Sequence, residues 1–412
     1  MNSRFFPLLA GLLFLSFPLG AAEKTFSWSE MISKVKQSNE ELLSAQRSLQ
    51  SSEYQVKGSY YNYFPQIAAS ASGSRGTTEE YGVSLSATQN VFSGFQDSGK
   101  IAQNKANFEI SRSTLQRTEA QVSYDLKSAV AGLIYAQNYV KLSQGIIERR
   151  ELNLKMVQLR FDGGRENKGS LLLSKAYLEE ARLDHLQATQ DLSVAQAKLA
   201  KILGEDDLGS YKFNGGVPVA LPPVDAGLDF QKMVLETPVY KTAIAQEDLS
   251  KATLTQSESG FYPTLGVSAN TTQYGTSWYP DQNRWSVGAT LSVPLFNGGR
   301  DYFSTRSSRE SLKASMLNKS STLKDQVVKL KDAYNNYVQA VQKLKVDSAY
   351  VEAAEVREKI SRQKYNNGLS TFDDWDIIES DLIKRQKSFL TSERDRVVFE
   401  AAWEQAQGKG VL

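Results

Sequence analysis

The chain offers few groups that could do chemistry. His185 is the single histidine and cysteine is absent, so one copy can build neither a histidine cluster nor a thiol nucleophile, and a Ser/His/Asp triad would have to use His185, whose place on a helical seam reads as packing. A disulfide scaffold and a cysteine-built zinc or iron–sulfur site are excluded for the same reason. An enzyme would be left with a carboxylate-only site such as a glycosidase pair. Asp373, Asp374 and Asp376 form the densest acidic group, but they lack the glycine spacing of a calcium loop. In the first turn of a helix, Asp373 and Asp374 would also simply complement its dipole. Arg165 and Lys168 are solvated cations unless something docks on them or they latch a gate. Gly163, Gly164 and Gly368 need no chemistry, because a tight turn between helices explains them. No phosphate loop, nucleotide fingerprint or metalloprotease motif occurs, and no cofactor is expected.

Forty-eight basic side chains face 46 acidic ones, a formal charge of +2, too balanced to draw in nucleic acid. Residues 1–22 read as a signal peptide: Arg4, an apolar stretch from Phe5 to Leu19, then Gly20-Ala21-Ala22 as the cleavage site. The mature chain is therefore expected to be exported, and no later apolar run approaches the roughly 18 residues of a membrane helix. If it enters a membrane, it does so as strands.

The chain reads as two copies of one unit. A shift of 204 positions lays Arg160-Phe161-Asp162-Gly163-Gly164 on Lys364-Tyr365-Asn366-Asn367-Gly368, Phe92-Ser93-Gly94 on Phe296-Asn297-Gly298, and Gly204 on Gly408. A shift of 198 lays Phe64-Pro65 on Tyr262-Pro263. The expected organisation is a first repeat over 23–203, a linker over 204–228 with Gly215-Gly216-Val217-Pro218 and Pro222-Pro223, a second repeat over 229–408, and a tail over 409–412.

Each repeat changes its hydrophobic period twice. After a helical stretch, Tyr81, Val83, Leu85 and Ala87 alternate with Gly82, Ser84, Ser86 and Thr88. The second copy does the same with Leu265, Val267 and Ala269, then with Trp285, Val287, Ala289, Leu291 and Val293. Period two with one apolar and one small-polar face predicts a β-hairpin in each repeat. About 64 residues without proline follow, Ser98 to Phe161 and Tyr302 to Tyr365, enough for a continuous helix of about 95 Å. A 3.5-residue seam through Leu323, Val327, Leu330, Tyr334, Tyr337, Val341 and Leu344 predicts coiled-coil packing. After the glycine turns the seam returns through Leu171, Ser174, Leu178, Ala181, His185 and Ala188, and through Trp375, Ile378, Leu382, Phe389, Phe399 and Trp403. Each repeat thus ends in a long antiparallel helical hairpin, with His185 as packing.

Strands of about ten residues suit a tilted crossing of a bilayer. Tyr60, Tyr61, Phe64, Phe92, Trp278, Tyr279 and Phe296 gather at their ends, where interfacial girdles belong. On this reading Val83, Leu85, Leu265, Val267, Val287 and Leu291 face lipid. The bland alternative is a small soluble sheet packed on helices. Four strands cannot close a barrel, and an open edge has no partners in hydrocarbon. Two copies would give eight strands with a filled interior, whereas three would give twelve and an open bore.

These features together resemble the outer-membrane efflux proteins of the TolC type. The resemblance rests on the duplicated helix–hairpin–helix unit, the Phe64-Pro65 and Tyr262-Pro263 strand openings, the Phe92-Ser93-Gly94 and Phe296-Asn297-Gly298-Gly299 closings, and the Phe/Tyr-x-x-Gly turns at Phe161 and Tyr365. It implies a mainly α protein with a small β part, in which long coiled-coil helices form a periplasmic α-barrel. Two hairpins per protomer would contribute to a trimeric twelve-stranded outer-membrane barrel. It also implies a homotrimer in outer-membrane lipid, a periplasmic adaptor docking at tips marked by Phe161, Gly163, Gly164, Tyr365 and Gly368, and an inner-membrane pump of RND, ABC or MFS type. The expected function is a passive exit duct for efflux or type I secretion, located in the outer membrane with a large periplasmic portion; the alternative is an exported coiled-coil structural or adhesion protein without a pore. The family commonly carries an acidic residue shortly after both tip glycines. Asp374 falls at that spacing, with Asp373 as a cap and Asp376 turned outward, while Ser170 stands at the corresponding place in the first tip. Asp374, Asp373, Asp376, Arg165 and Lys168 are therefore the gate candidates.

Overall fold

The computed structural model describes residues 24–77, 79–206, 211–213, 215–223 and 227–412. The signal-peptide stretch lies outside the described residues. Helices α1 (Trp28–Ser38) and α2 (Glu40–Tyr60) lead into strands β2 (Gln66–Arg75) and β3 (Glu79–Phe92), then α3 (Gln96–Asp162) and α4 (Lys168–Ile202). Helices α5 (Phe230–Glu236) and α6 (Pro238–Glu258) lead in the same way into β5 (Thr264–Gly275) and β6 (Gln282–Ser292), then α7 (Arg300–Asn366) and α8 (Phe372–Ala406). Two short strands, β1 (Lys24–Thr25) and β4 (Tyr211–Lys212), pair in parallel.

Both long helices have 67 residues and so reach about 100 Å. The helical stretch expected before the first hairpin is broken at Asn39, whose carboxamide oxygen accepts the Leu42 N–H as the cap of α2. Thr237 caps α6 in the same way, with Pro238 in the first helical position. Capping residues satisfy backbone donors a continuing helix would have used, which is why the chain bends there.

No single core holds so long a molecule. One cluster joins Met31 and Val35 of α1 to Leu126, Val130 and Leu133 of α3 and Leu199 of α4, under Tyr211 and Phe213. A second joins Val234 to Leu330, Tyr334, Tyr337 and Val341 of α7 and Trp403 of α8. A third, at the helix tips, contains Val157, Leu171, Tyr365, Phe372 and Trp375. The α7 seam is buried as the 3.5-residue period requires, from Leu330 through Val341. The α8 seam departs from the pattern at three places: Phe399 is exposed and Ile378 and Phe389 are only half-buried, while Glu400 and Glu379, the neighbours of Phe399 and Ile378, are buried. A heptad read on apolar residues steps over acids that are held inside by cations from another helix.

The four longer strands form one antiparallel sheet in the order β2-β3-β5-β6. The β5–β6 turn has six residues, 276–281, against three, 76–78, between β2 and β3. Every residue of β2 and of β6 is exposed, so among the described residues no helix covers these strands as a soluble fold would require.

Candidate functional site: the bare sheet and the helical tips

The register separates the two faces of the sheet cleanly. Val83 lies opposite Gln273, Leu85 opposite Thr271, Leu265 opposite Leu291, Val267 opposite Ala289 and Ala269 opposite Val287. All six residues expected to face lipid therefore share one face, joined by Ile67, Ala69 and Ala71 from β2. The other face pairs Ser70 with Ser84, Ser72 with Gly82, Ser268 with Gly288 and Asn270 with Ser286, and Ser70 and Ser84 are hydrogen-bonded at 2.7 Å. Val287 and Leu291 are 68% and 65% exposed in the protomer. An apolar face that open, flanked by two unpaired strand edges, is stable only against lipid and further strands.

About a helix length away stand the two tips. Each long helix ends in a pair of bonds that reach back across a left-handed glycine. Gly164 N–H donates to Phe161 O and Arg165 N–H to Arg160 O; Gly368 and Leu369 repeat this on Tyr365 and Lys364. The φ angles of +70° and +73° at Gly164 and Gly368 are those such a cap needs. Asn167 then caps α4 by accepting the Ser170 N–H. Thr371 caps α8 in a reciprocal box, its hydroxyl accepting the Asp374 N–H while the Asp374 carboxylate accepts from the hydroxyl and N–H of Thr371. Asp374, not Asp373, is thus the capping carboxylate, and Ser170 and Asp374 are equivalent third residues of their helices.

The tips are joined by residues that the hydrophobic pattern did not single out. Tyr365 is fully buried, stacked on Trp375 with centroids 4.8 Å apart. The Arg160 guanidinium lies over the ring, 4.4 Å from its centroid, and donates to the Tyr365 carbonyl. The Tyr365 hydroxyl donates to Glu166 at 2.8 Å. Burial works to raise the Glu166 carboxyl, but hydrogen bonds from Tyr365, the Asn167 N–H and Ser170, with Arg160 nearby, outweigh it and hold it below its ordinary range. Tyr365 therefore shapes its tip from within, while Phe161, half-buried, and Gly163, Gly164 and Gly368, exposed, form the outer surface. Asp376 is drawn inward to Arg150 at 3.1 Å, and Arg150 also lies over the Tyr177 ring. Arg165 and Lys168 are exposed and pair with no acid among the described residues.

Above this clasp, Glu379 of α8 is 1% exposed, next to Glu358 of α7 and 3.6 Å from Arg149 of α3. Burial raises its carboxyl above the ordinary range; Arg149 opposes the rise and Glu358 adds to it. A native carboxyl with a raised pKa holds a proton that the unfolded chain releases. Its contribution is full below the unfolded value near 4.5 and is lost as pH rises through the native value. Glu379→Gln should accordingly gain thermal stability over the parent as pH rises above about 4.5. Paired melting curves between pH 4 and 8 measure this, and a pH-independent difference would contradict it.

An antiparallel sheet exposed on both faces, carried on two helices about 100 Å long that each turn back into a 35-residue partner, defines a mainly helical protein with a small sheet at one end and helical tips at the other. Residues 31–205 and 232–409 match the outer membrane efflux protein family, and the chain belongs to that family. It is 23% identical over 271 residues to the outer membrane efflux protein BepC of Brucella suis, covering 61% of this chain and 56% of that one. It is 22% identical over 253 residues to the alkaline protease secretion protein AprF of Pseudomonas aeruginosa, covering 58% and 52%. The matched regions thus span little more than half the length of these relatives. In structure it resembles the Campylobacter jejuni CmeC outer membrane channel, with a TM-score of 0.83 over 93% of this chain and 85% of that one at 14% identity. That likeness is one of fold.

Proposed function

We propose that three copies of this chain join β6 of one to β2 of the next, closing a twelve-stranded barrel in the outer membrane above a tube of α3, α4, α7 and α8. The assembly would act as the passive exit duct of a tripartite efflux or type I secretion system, receiving cargo from an inner-membrane pump through a periplasmic adaptor docked at the tips. The observation that carries this reading is the sheet, whose apolar face is uncovered and whose two edges are unpaired in the protomer. A purely structural coiled-coil protein would have no use for such a sheet. Purified protein in planar bilayers should give discrete conductance steps, and silent bilayers containing intact oligomer would overturn the reading.

In that assembly, threefold symmetry gathers the Gly368 turns around one axis, and three Asp374 carboxylates form the entrance ring, a standard cation-binding constriction. Arg165 and Lys168 of a neighbouring tip are the cations left to latch it. Because Asp374 also caps α8, alanine would confound charge with stability at a cost of about 1 kcal/mol. Asp374→Asn keeps an acceptor for the cap and removes the charge. It should raise single-channel conductance and weaken periplasmic-side block by divalent cations, more so when combined with Arg165→Ala. Asp332→Asn, an exposed acid on α7 away from the tip, serves as the control. Unchanged conductance and block in Asp374→Asn would assign the constriction to other residues.

A further inference from the structure

The polar face of the sheet is built almost wholly from uncharged groups. Along the rungs from Gly266 and Thr290 to Asn270 and Ser286 it carries only Gly, Ser, Thr and Asn. One cation stands on it: Arg284 of β6, opposite Thr272. Its guanidinium lies 5.3 Å from the ring centre of Tyr274, the diagonal neighbour on β5. An arginine lying over an aromatic face is held there by attraction to the ring, rather than swinging free. No carboxylate lies within ion-pair reach of Arg284 among the described residues. Glu80, the one acid on this face, pairs with Ser74 at the loop end of the sheet. Asp281 lies in the β5–β6 turn, and Glu79 on the opposite face is bonded to Arg75 at 2.9 Å.

We propose that Arg284, held over Tyr274, is the charge-selecting residue at the outward end of the bore, favouring anionic cargo and small anions over cations. The proposal rests on the trimeric barrel proposed above. Strands ~4.8 Å apart and tilted by ~40° place twelve strands on a circle of radius ~12 Å. A side chain reaching inward by roughly 6 Å then brings each guanidinium to about 6 Å from the axis. That is inside the Debye length of ~10 Å at 0.1 M salt, so every ion that passes meets three unpaired cations. Glu80 and Asp281 lie nearer the loops and external water, where salt screens them more fully.

The test is the reversal potential of single channels under a KCl gradient centred on 0.1 M. Arg284→Gln should lower the chloride-to-potassium permeability ratio about threefold to tenfold, Arg284→Glu should lower it further, and Arg284→Lys should restore most of it. Glu80→Gln should move the ratio the other way. Near 1 M salt, where the Debye length is ~3 Å, the differences should shrink. Normal conductance steps with the same ratio in Arg284→Glu as in the parent would overturn the role of Arg284 and leave the barrel standing. A parent protein that forms oligomers but no conducting steps would overturn both.

Discussion

Lysine at Val287 should prevent assembly of the outer-membrane form, whereas lysine at Gly288, one residue on, should be accepted. Val287 is the middle residue of β6, lies opposite Ala269 and is exposed on the apolar face. A charge there would sit near the bilayer midplane and cost about 2–4 kcal/mol per protomer, incurred three times in a trimer. Leu291, one rung from the strand end, should cost less, because the penalty falls toward the interface. Gly288 has nothing within 4 Å of an added Cβ and lies on the polar face with Ser268. The check is the yield of heat-resistant oligomer in outer-membrane fractions. Equal tolerance at 287 and 288 would mean that the hairpins do not cross a membrane.

The second large effect is expected at Lys127, in α3 and far from both the sheet and the tips. Its side chain is 5% exposed, 2.7 Å from Glu404 and 4.0 Å from Glu400. Glu400 is held high by burial, although it accepts the Ala220 N–H at 3.0 Å. Tyr334 and Tyr337 donate to the carbonyls of Pro223 and Ala220 beside it. Together they tie the segment between the repeats onto α7 and α8. Lys127→Met would leave a buried carboxylate without its cation and should cost about 3–5 kcal/mol. Adding Glu400→Gln should return part of that loss, since the remaining Glu404 can turn to water. Chemical denaturation measures both, and a loss below about 1 kcal/mol for Lys127→Met would show that the triad does not hold the helices together.

What the sequence made legible was periodic. The alternation through Val83 and Leu85 and through Val287 and Leu291 placed those residues on one face, and the proline-free runs became helices of 67 residues. Such patterns are visible because apolar and small polar residues alternate along the whole strand and so sort onto opposite faces. What it hid was charge inside the bundle. Arg149 and Arg150 sit where a seam read on apolar residues sees only polar ones, yet they meet Glu379 and Asp376 of a helix more than 200 positions away. No local rule announces a cation whose partner is that distant. The same holds for Arg160 and Glu166, which clasp Tyr365 across the two tips. The break at Asn39 was hidden for a different reason: asparagine reads as an ordinary polar helix residue until its side chain is seen capping Leu42. The acid-rich start of α8 shows where carboxylates gather, but their division of labour depends on contacts that spacing does not encode: Asp374 caps the helix and Asp376 pairs with Arg150.

The trimeric barrel is tested most directly by the oligomeric state of the protein extracted in mild detergent, measured by native mass spectrometry alongside circular dichroism of the same sample. A protomer with four strands and two unpaired edges predicts a complex of three chains that keeps its sheet signal and resists heating in detergent. A monodisperse single chain with its sheet intact would contradict it.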